Sequence, residues 1–190
     1  MHVGPGTKMR NELTCLMSWG KQNWNIIRFC LVFFVYIIGI LFISQLKWFN
    51  NYFLIPLTET TAQLSSWALN MLGLKTQYSH SIVFDSRDFA IEIIYKCTGI
   101  LQVAFFIAGV LAYQCSFLKK LSGIIIGTIV IFSANLIRII NLFFIGLVAF
   151  SWFDFFHGVI WEVLMIIIIF LTWLLWLKRV ERFRKNAQGA

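Results

Sequence analysis

The chain has 190 residues, 59% of them hydrophobic and 13% charged, with a formal net charge of +8. Soluble domains carry about a quarter charged residues, so this composition excludes one and indicates an integral membrane protein. The basic residues flank the apolar runs and form no single soluble face, which favours membrane orientation over nucleic-acid binding as their purpose.

Residues 1–25 read as a cytoplasmic N-terminal segment. The first apolar run, Ile26 to Leu46, is long enough to cross about 30 Å of hydrocarbon. No small-x-small pattern follows its core, so it reads as a permanent signal anchor and not a cleaved leader. Residues 52–74 are the ambiguous stretch. Leu57, Leu64, Trp67, Ala68, Met71 and Leu72 recur at helical spacing, while Thr58, Glu59, Thr61, Gln63, Ser65, Ser66 and Asn70 occupy the rest of the helix. Pro56 suits its first turn and Gly73 its end. This is the pattern of an amphipathic helix lying along the outer surface, with a fifth or re-entrant span as the alternative. Ser81 to Phe84 and Phe89 to Tyr95 are β-rich runs separated by Asp-Ser-Arg-Asp, and they predict a small outer hairpin. Asp85, Asp88 and Glu92 read as its solvated face.

Three further spans are predicted: Cys97 to Leu118, Leu121 to about Phe144, and Phe155 to Leu177. A basic cytoplasmic tail, 178–190, follows. The expected fold class is therefore all-α and polytopic, a single membrane domain over 26–177 with four transmembrane helices, an outer amphipathic helix and a small outer β-hairpin. The charges support four spans. With both termini inside, Lys8, Arg10, Lys21, Arg28, Lys119, Lys120, Lys178, Arg179, Arg182, Arg184 and Lys185 are internal, against Lys47, Lys75, Arg87 and Lys96 outside. A crossing by 52–74 leaves seven inside and eight outside, against the positive-inside tendency.

Cys15, Cys30, Cys97 and Cys115 lack C-x-x-C or other metal spacing, so neither a metal site nor a disulfide framework is expected. In this topology Cys97 begins the second span at the outer boundary and His157 begins the fourth. Arg138 lies 17 residues beyond Leu121, about 26 Å above the inner face. A thiol, a guanidinium and an imidazole thus reach one depth from three separate helices. Charged groups in a span are costly enough to mark function. The set suits acyl transfer: Cys97 as nucleophile, His157 as general base then acid, and Arg138 as stabiliser of thiolate or oxyanion. Asn135 shares the helical face of Arg138 and is placed to orient it. Thr98 and Gly99 leave backbone amides accessible beside the reacting carbon. This chemistry needs no cofactor. Glu162 is placed either to pair with Arg138 or to face the bundle, and Asp154 reads as an exposed loop carboxylate.

Cys-Thr-Gly-Ile after a hairpin, Asn-x-x-Arg-Ile in the next span and Phe-His at the head of the following one resemble the exosortase/archaeosortase family, over roughly residues 80–175. That family comprises multi-spanning cysteine transpeptidases acting at the extracytoplasmic face of the cell membrane. The resemblance implies Cys97, Arg138 and His157 as the catalytic triad, with Asn135 and Gly99 as supporting motif positions. Threonine stands at position 98 where serine commonly follows the cysteine. The implied partners are exported proteins ending in a short motif, a transmembrane helix and a basic cluster, together with a lipid or cell-envelope glycan that accepts the acyl group. Small residues such as Ala108, Gly109, Gly123 and Gly127 offer places where a substrate helix could approach. The competing reading is a non-catalytic assembly or export subunit braced by an Arg138–Glu162 ion pair. A transporter is less favoured, since four spans without a repeat or broken helices offer little pathway.

Overall fold

The computed structural model describes residues 23–86 and 89–188, with side-chain surroundings through residue 183. Residues 1–22 of the expected cytoplasmic segment, Arg87, Asp88 and the end of the basic tail lie outside this description.

Helix α1 (Trp24–Ser44) is apolar all round and has no buried side chain, as expected of a helix whose solvent is lipid. A helical turn (Lys47–Phe49) and a π-helical segment (Asn50–Leu54) lead into α2 (Ile55–Met71). Pro56 sits in the first turn of α2, directly after the π-helical segment. A helix is therefore present within the stretch 52–74, and its small polar stripe is the one that faces the protein. Thr58, Thr61, Ala62, Ser65, Ser66 and Leu69 are buried, while Trp67, Met71 and Leu72 point outward. The inward hydroxyls are satisfied locally: Thr61 Oγ1 donates to the Leu57 carbonyl at 2.7 Å and Ser65 Oγ to the Thr61 carbonyl at 2.7 Å.

The expected hairpin is a three-stranded antiparallel sheet in the order β1 (Thr76–Ser79), β2 (Ile82–Asp85), β3 (Ala90–Glu92). Ser79 pairs with Ile82 across a two-residue turn, in which His80 takes a left-handed φ of 53°. Side chains of α2 fix the added strand. Asn70 accepts from the Thr76 amide at 2.7 Å and donates to its carbonyl at 3.0 Å, and Thr76 Oγ1 donates to the Ser66 carbonyl at 3.1 Å.

The second predicted span is replaced by a shorter apolar helix, α3 (Ile100–Ala112), of 13 residues. At about 1.5 Å per residue it covers only about 20 Å. The backbone turns extended at Tyr113, and Lys120, from the next helix, donates to the Leu111 carbonyl at 2.6 Å and so satisfies an end-of-helix acceptor. Helix α4 (Phe117–Val148) runs 32 residues. A continuous helical length then covers Phe150–Phe183, made of a 3-10 turn (Phe150–Trp152), a short α-turn (Phe153–Phe155), a π-helical segment (Phe156–Ile160) and α5 (Trp161–Gln188). Three helical lengths are thus long and apolar enough to cross a membrane among the described residues, with α3 as a shorter companion, in place of four full spans.

Two cores hold these elements. One joins α3, α4 and α5 through Val103, Phe106, Val110, Ile131, Met165 and Trp176. The other joins α2, the sheet and α4 through Ala62, Leu69, Val83, Ile93, Ile139 and Phe143, and the half-buried Cys97 packs on it. Gly123 and Gly127 belong to the first core. A side chain at Gly127 overlaps Phe106, and one at Gly123 overlaps Trp176. These glycines therefore admit the protein's own aromatic rings and not a substrate helix. Gly127→Val is expected to destabilise the fold by about 1–3 kcal/mol through overpacking. Gly39→Val, with nothing within 4 Å of the added atom, should stay within about 0.5 kcal/mol. Melting temperatures in detergent compare the two.

Candidate active site

The sheet delivers the chain to a 3-10 turn, Tyr95–Cys97, packed against the α2–sheet–α4 core. The Cys97 amide donates to the Ile94 carbonyl at 2.8 Å, and Thr98 Oγ1 donates to the Tyr95 carbonyl at 2.7 Å, which ties the turn to itself. Thr98 is fully buried, so its hydroxyl serves this turn. Gly99 then takes φ 80°, a left-handed conformation that L side chains rarely adopt, and α3 begins. The close approach at Gly99 is that of Asn135, whose Cβ lies 3.0 Å from where a glycine substituent would stand. Gly99→Ala is accordingly expected to cost about 1–2 kcal/mol in backbone strain and to push Asn135 from its place. The check is lower thermal stability accompanied by a greater loss of activity than at Gly127.

Asn135 is almost wholly buried on α4, and its Nδ2 donates to the Cys97 carbonyl at 2.8 Å across 38 residues of sequence. One turn further, Arg138 is 3% exposed on the same stripe of α4, among Ile131, Ile139 and Leu142. His157 arrives from the π-helical segment. The wider π turn carries one more residue than an α turn, and such segments recur at functional sites. Its Nε2 lies 3.7 Å from Cys97 Sγ. The ring stacks on Phe153, four residues earlier, with centroids 5.9 Å apart and planes 6° from parallel. Trp161, at the start of α5, donates to Asn141 Oδ1 at 3.0 Å and fastens this segment to α4.

Of the residues singled out in the sequence, Cys97 and His157 are in direct contact. Asn135 touches the Cys97 backbone, and Arg138 lies one turn of α4 beyond Asn135 on the same buried stripe. The N-terminus of α3, with its partial positive charge, follows Cys97 by three residues. Glu162 and Asp154 are exposed. No ion pair joins Arg138 to Glu162 among the described residues, where the pair formed is His80 with Glu59 at 3.1 Å. The brace required by the non-catalytic reading is thus not seen. Phe153 and Asn141 went unnoticed in the sequence. Only the four-residue spacing of Phe153 before His157 could have pointed to one of them. Cys115, between α3 and α4, is a different kind of thiol: burial pushes its pKa up against the pull of Lys120 and Lys119.

No group of three or more His, Cys, Asp or Glu side chains among the described residues could hold a metal ion. No curated protein and no solved structure matches the chain at a significant level. The family model described as transmembrane exosortase (EpsH) matches residues 13–174, an interval that contains Cys97, Asn135, Arg138 and His157, and the chain belongs to that family.

Proposed function

We propose that the chain is a membrane cysteine transpeptidase that cuts the C-terminal sorting tail of exported proteins and passes the remaining acyl group to a lipid or cell-envelope acceptor. Members of the family are generally cysteine transpeptidases, and the family implies substrates with PEP-CTERM-like tails. The observation that carries the reading is the 3.7 Å approach of His157 Nε2 to Cys97 Sγ, between helices remote in sequence.

In this mechanism the imidazole takes the thiol proton as the sulfur attacks the carbonyl carbon of the scissile peptide. Arg138 and the amides at the start of α3 stabilise negative charge, first on sulfur and then on the carbonyl oxygen. The C–N bond breaks, His157 returns its proton to the leaving amine, and a thioester remains on Cys97. An acceptor hydroxyl or amine then attacks the thioester, gives its proton to His157 and frees the sulfur. Asn135 acts as a positioning residue, since it holds the Cys97 carbonyl and with it the turn that aims the thiol.

The charge distribution supports an extracytoplasmic active site, with residues 1–25 and 178–190 inside and 26–177 as the membrane domain. The test is co-expression with an exported reporter ending in a short motif, an apolar helix and a basic cluster. The wild-type chain is expected to shorten the reporter, and Cys97→Ala to leave it intact. Equal shortening by both would refute the proposal.

A further inference from the structure

An open groove runs between α1, α3 and α5 from the first turn of α3, which begins three residues after Cys97. Its upper part has a volume of about 620 Å³ and is walled by Phe29, Phe33, Phe105, Gly109, Ile166 and Trp173, among others. A second cavity of about 430 Å³ continues it past Phe29 and Trp173 to Asn25 and Gln114, at the far end of α3. Along α3 the groove extends from Leu101 to Ala112, about 16 Å at the helical rise. The two volumes spread over that length give a mean section of about 65 Å², suited to a helix 10–12 Å across resting in an open trough. A single extended hydrocarbon chain would leave most of it empty. The bundle is also incomplete at this place, because α1 borders the groove without burying one of its own side chains.

The polar groups of the groove are unevenly placed. Glu162 is the one charged residue lining either cavity, and Gln102 stands at the same end. Gln102 Oε1 is buried and has no hydrogen-bond partner among the described residues. Glu162 follows His157 by five residues and Gln102 follows Cys97 by five. Glu162 therefore lies between one and two helical turns beyond His157, and Gln102 is in the first turn of α3, which begins three residues after Cys97. A carboxylate and a carboxamide among the lining residues of an otherwise apolar trough call for a hydrogen-bond donor on whatever fills it.

We propose that this groove seats the transmembrane helix of the substrate tail, and that Glu162 and Gln102 read a donor side chain in its first turn after the cleaved bond. The inference rests on the tail-cleaving function proposed above and adds where the tail lies and what selects it. A chain whose scissile bond is at Cys97 has to descend into the bilayer beside that residue. The groove is the descent that starts there and continues past Trp173 to the far end of α3.

The experiment uses the full-length chain in membranes with Cys97→Ala, which holds the tail uncut. A photoreactive benzoylphenylalanine replaces Phe105 or Ile166 in the groove, or Ile129 on the outer side of α4; all three are exposed. The probe is the exported reporter bearing the tripartite tail. Crosslinks from positions 105 and 166 to the reporter's helix, with none from 129, are expected. Crosslinks from 129 alone, or crosslinks from the groove to lipid or to a second copy of this chain only, overturn the groove assignment. If the unsubstituted chain still shortens the reporter in that case, the proposed function survives the loss. A wild-type chain that never shortens it sinks both. A second arm tests the donor. Glu162→Leu should slow cleavage of a tail with Ser or Lys in the first helical turn by about tenfold, while a tail with Leu there changes by less than about twofold. An equal effect on both tails would mean that Glu162 acts only through His157, and would overturn the recognition role.

Discussion

His157→Gln is expected to slow formation of the Cys97 thioester by about 10²–10⁴-fold, the usual worth of a positioned general base. The ring is the group within 3.7 Å of the sulfur, and its plane is held by Phe153 on one side. Gln keeps a polar side chain of similar size, so the π-helical segment should survive and the protein should accumulate normally. The readout is single-turnover acylation, followed by loss of the reporter tail. Alkylation of Cys97 by iodoacetamide should slow as well, because the imidazole no longer draws off the thiol proton. Cys115 provides an internal control whose alkylation rate should not change. Undiminished acylation in His157→Gln would remove the imidazole from the chemistry.

The second large effect is expected at Arg138. Replacement by Leu should reduce acylation by about 10²–10³-fold, the scale seen when an oxyanion-stabilising group is deleted. The amount of folded protein should hold, since Arg138 makes no ion pair among the described residues that its loss would break. Arg138→Lys keeps the charge and loses the planar fork, and should recover part of the activity. A structural brace makes the opposite forecast: Arg138→Leu lowers the yield of folded protein, and each folded molecule stays fully active. The absence of an Arg138–Glu162 pair among the described residues already weighs against the brace. Yield by size-exclusion chromatography and acylation per folded molecule separate the two accounts.

Much of this site was legible in the sequence because membranes restrict what the chain can do. Apolar runs longer than the bilayer mark spans, and counting residues along a helix gives depth, so Cys97, Arg138 and His157 could be set at one level before any packing was known. Lateral adjacency was not legible. It depends on helix crossing and on the π turn at Phe156–Ile160, which rotates His157 toward Cys97, and neither leaves a periodic trace. The bond from Asn135 to the Cys97 carbonyl joins residues 38 apart and was equally invisible.

The misread elements fail for similar reasons. The sequence reads a span through Leu118, but the backbone turns extended at Tyr113, where Lys120 satisfies the Leu111 carbonyl from the next helix, a tertiary event. The strand Thr76–Ser79 lacks an apolar pattern because Ser66 and Asn70 of α2 hold it by its backbone. Gly123 and Gly127 marked close approach, but the sequence could not say whose ring would fill the space. For α2, the period was plain, and only the packing shows that its small hydroxyl-bearing stripe turns inward.

Mass spectrometry of the chain after co-expression with the tripartite reporter bears most directly on the central claim. An acyl adduct carrying the new C-terminus of the reporter should appear on the Cys97 peptide, disappear on treatment with hydroxylamine, and be absent from Cys97→Ala. An adduct on Cys30 or Cys115 instead, or shortened reporter produced by Cys97→Ala, would contradict it.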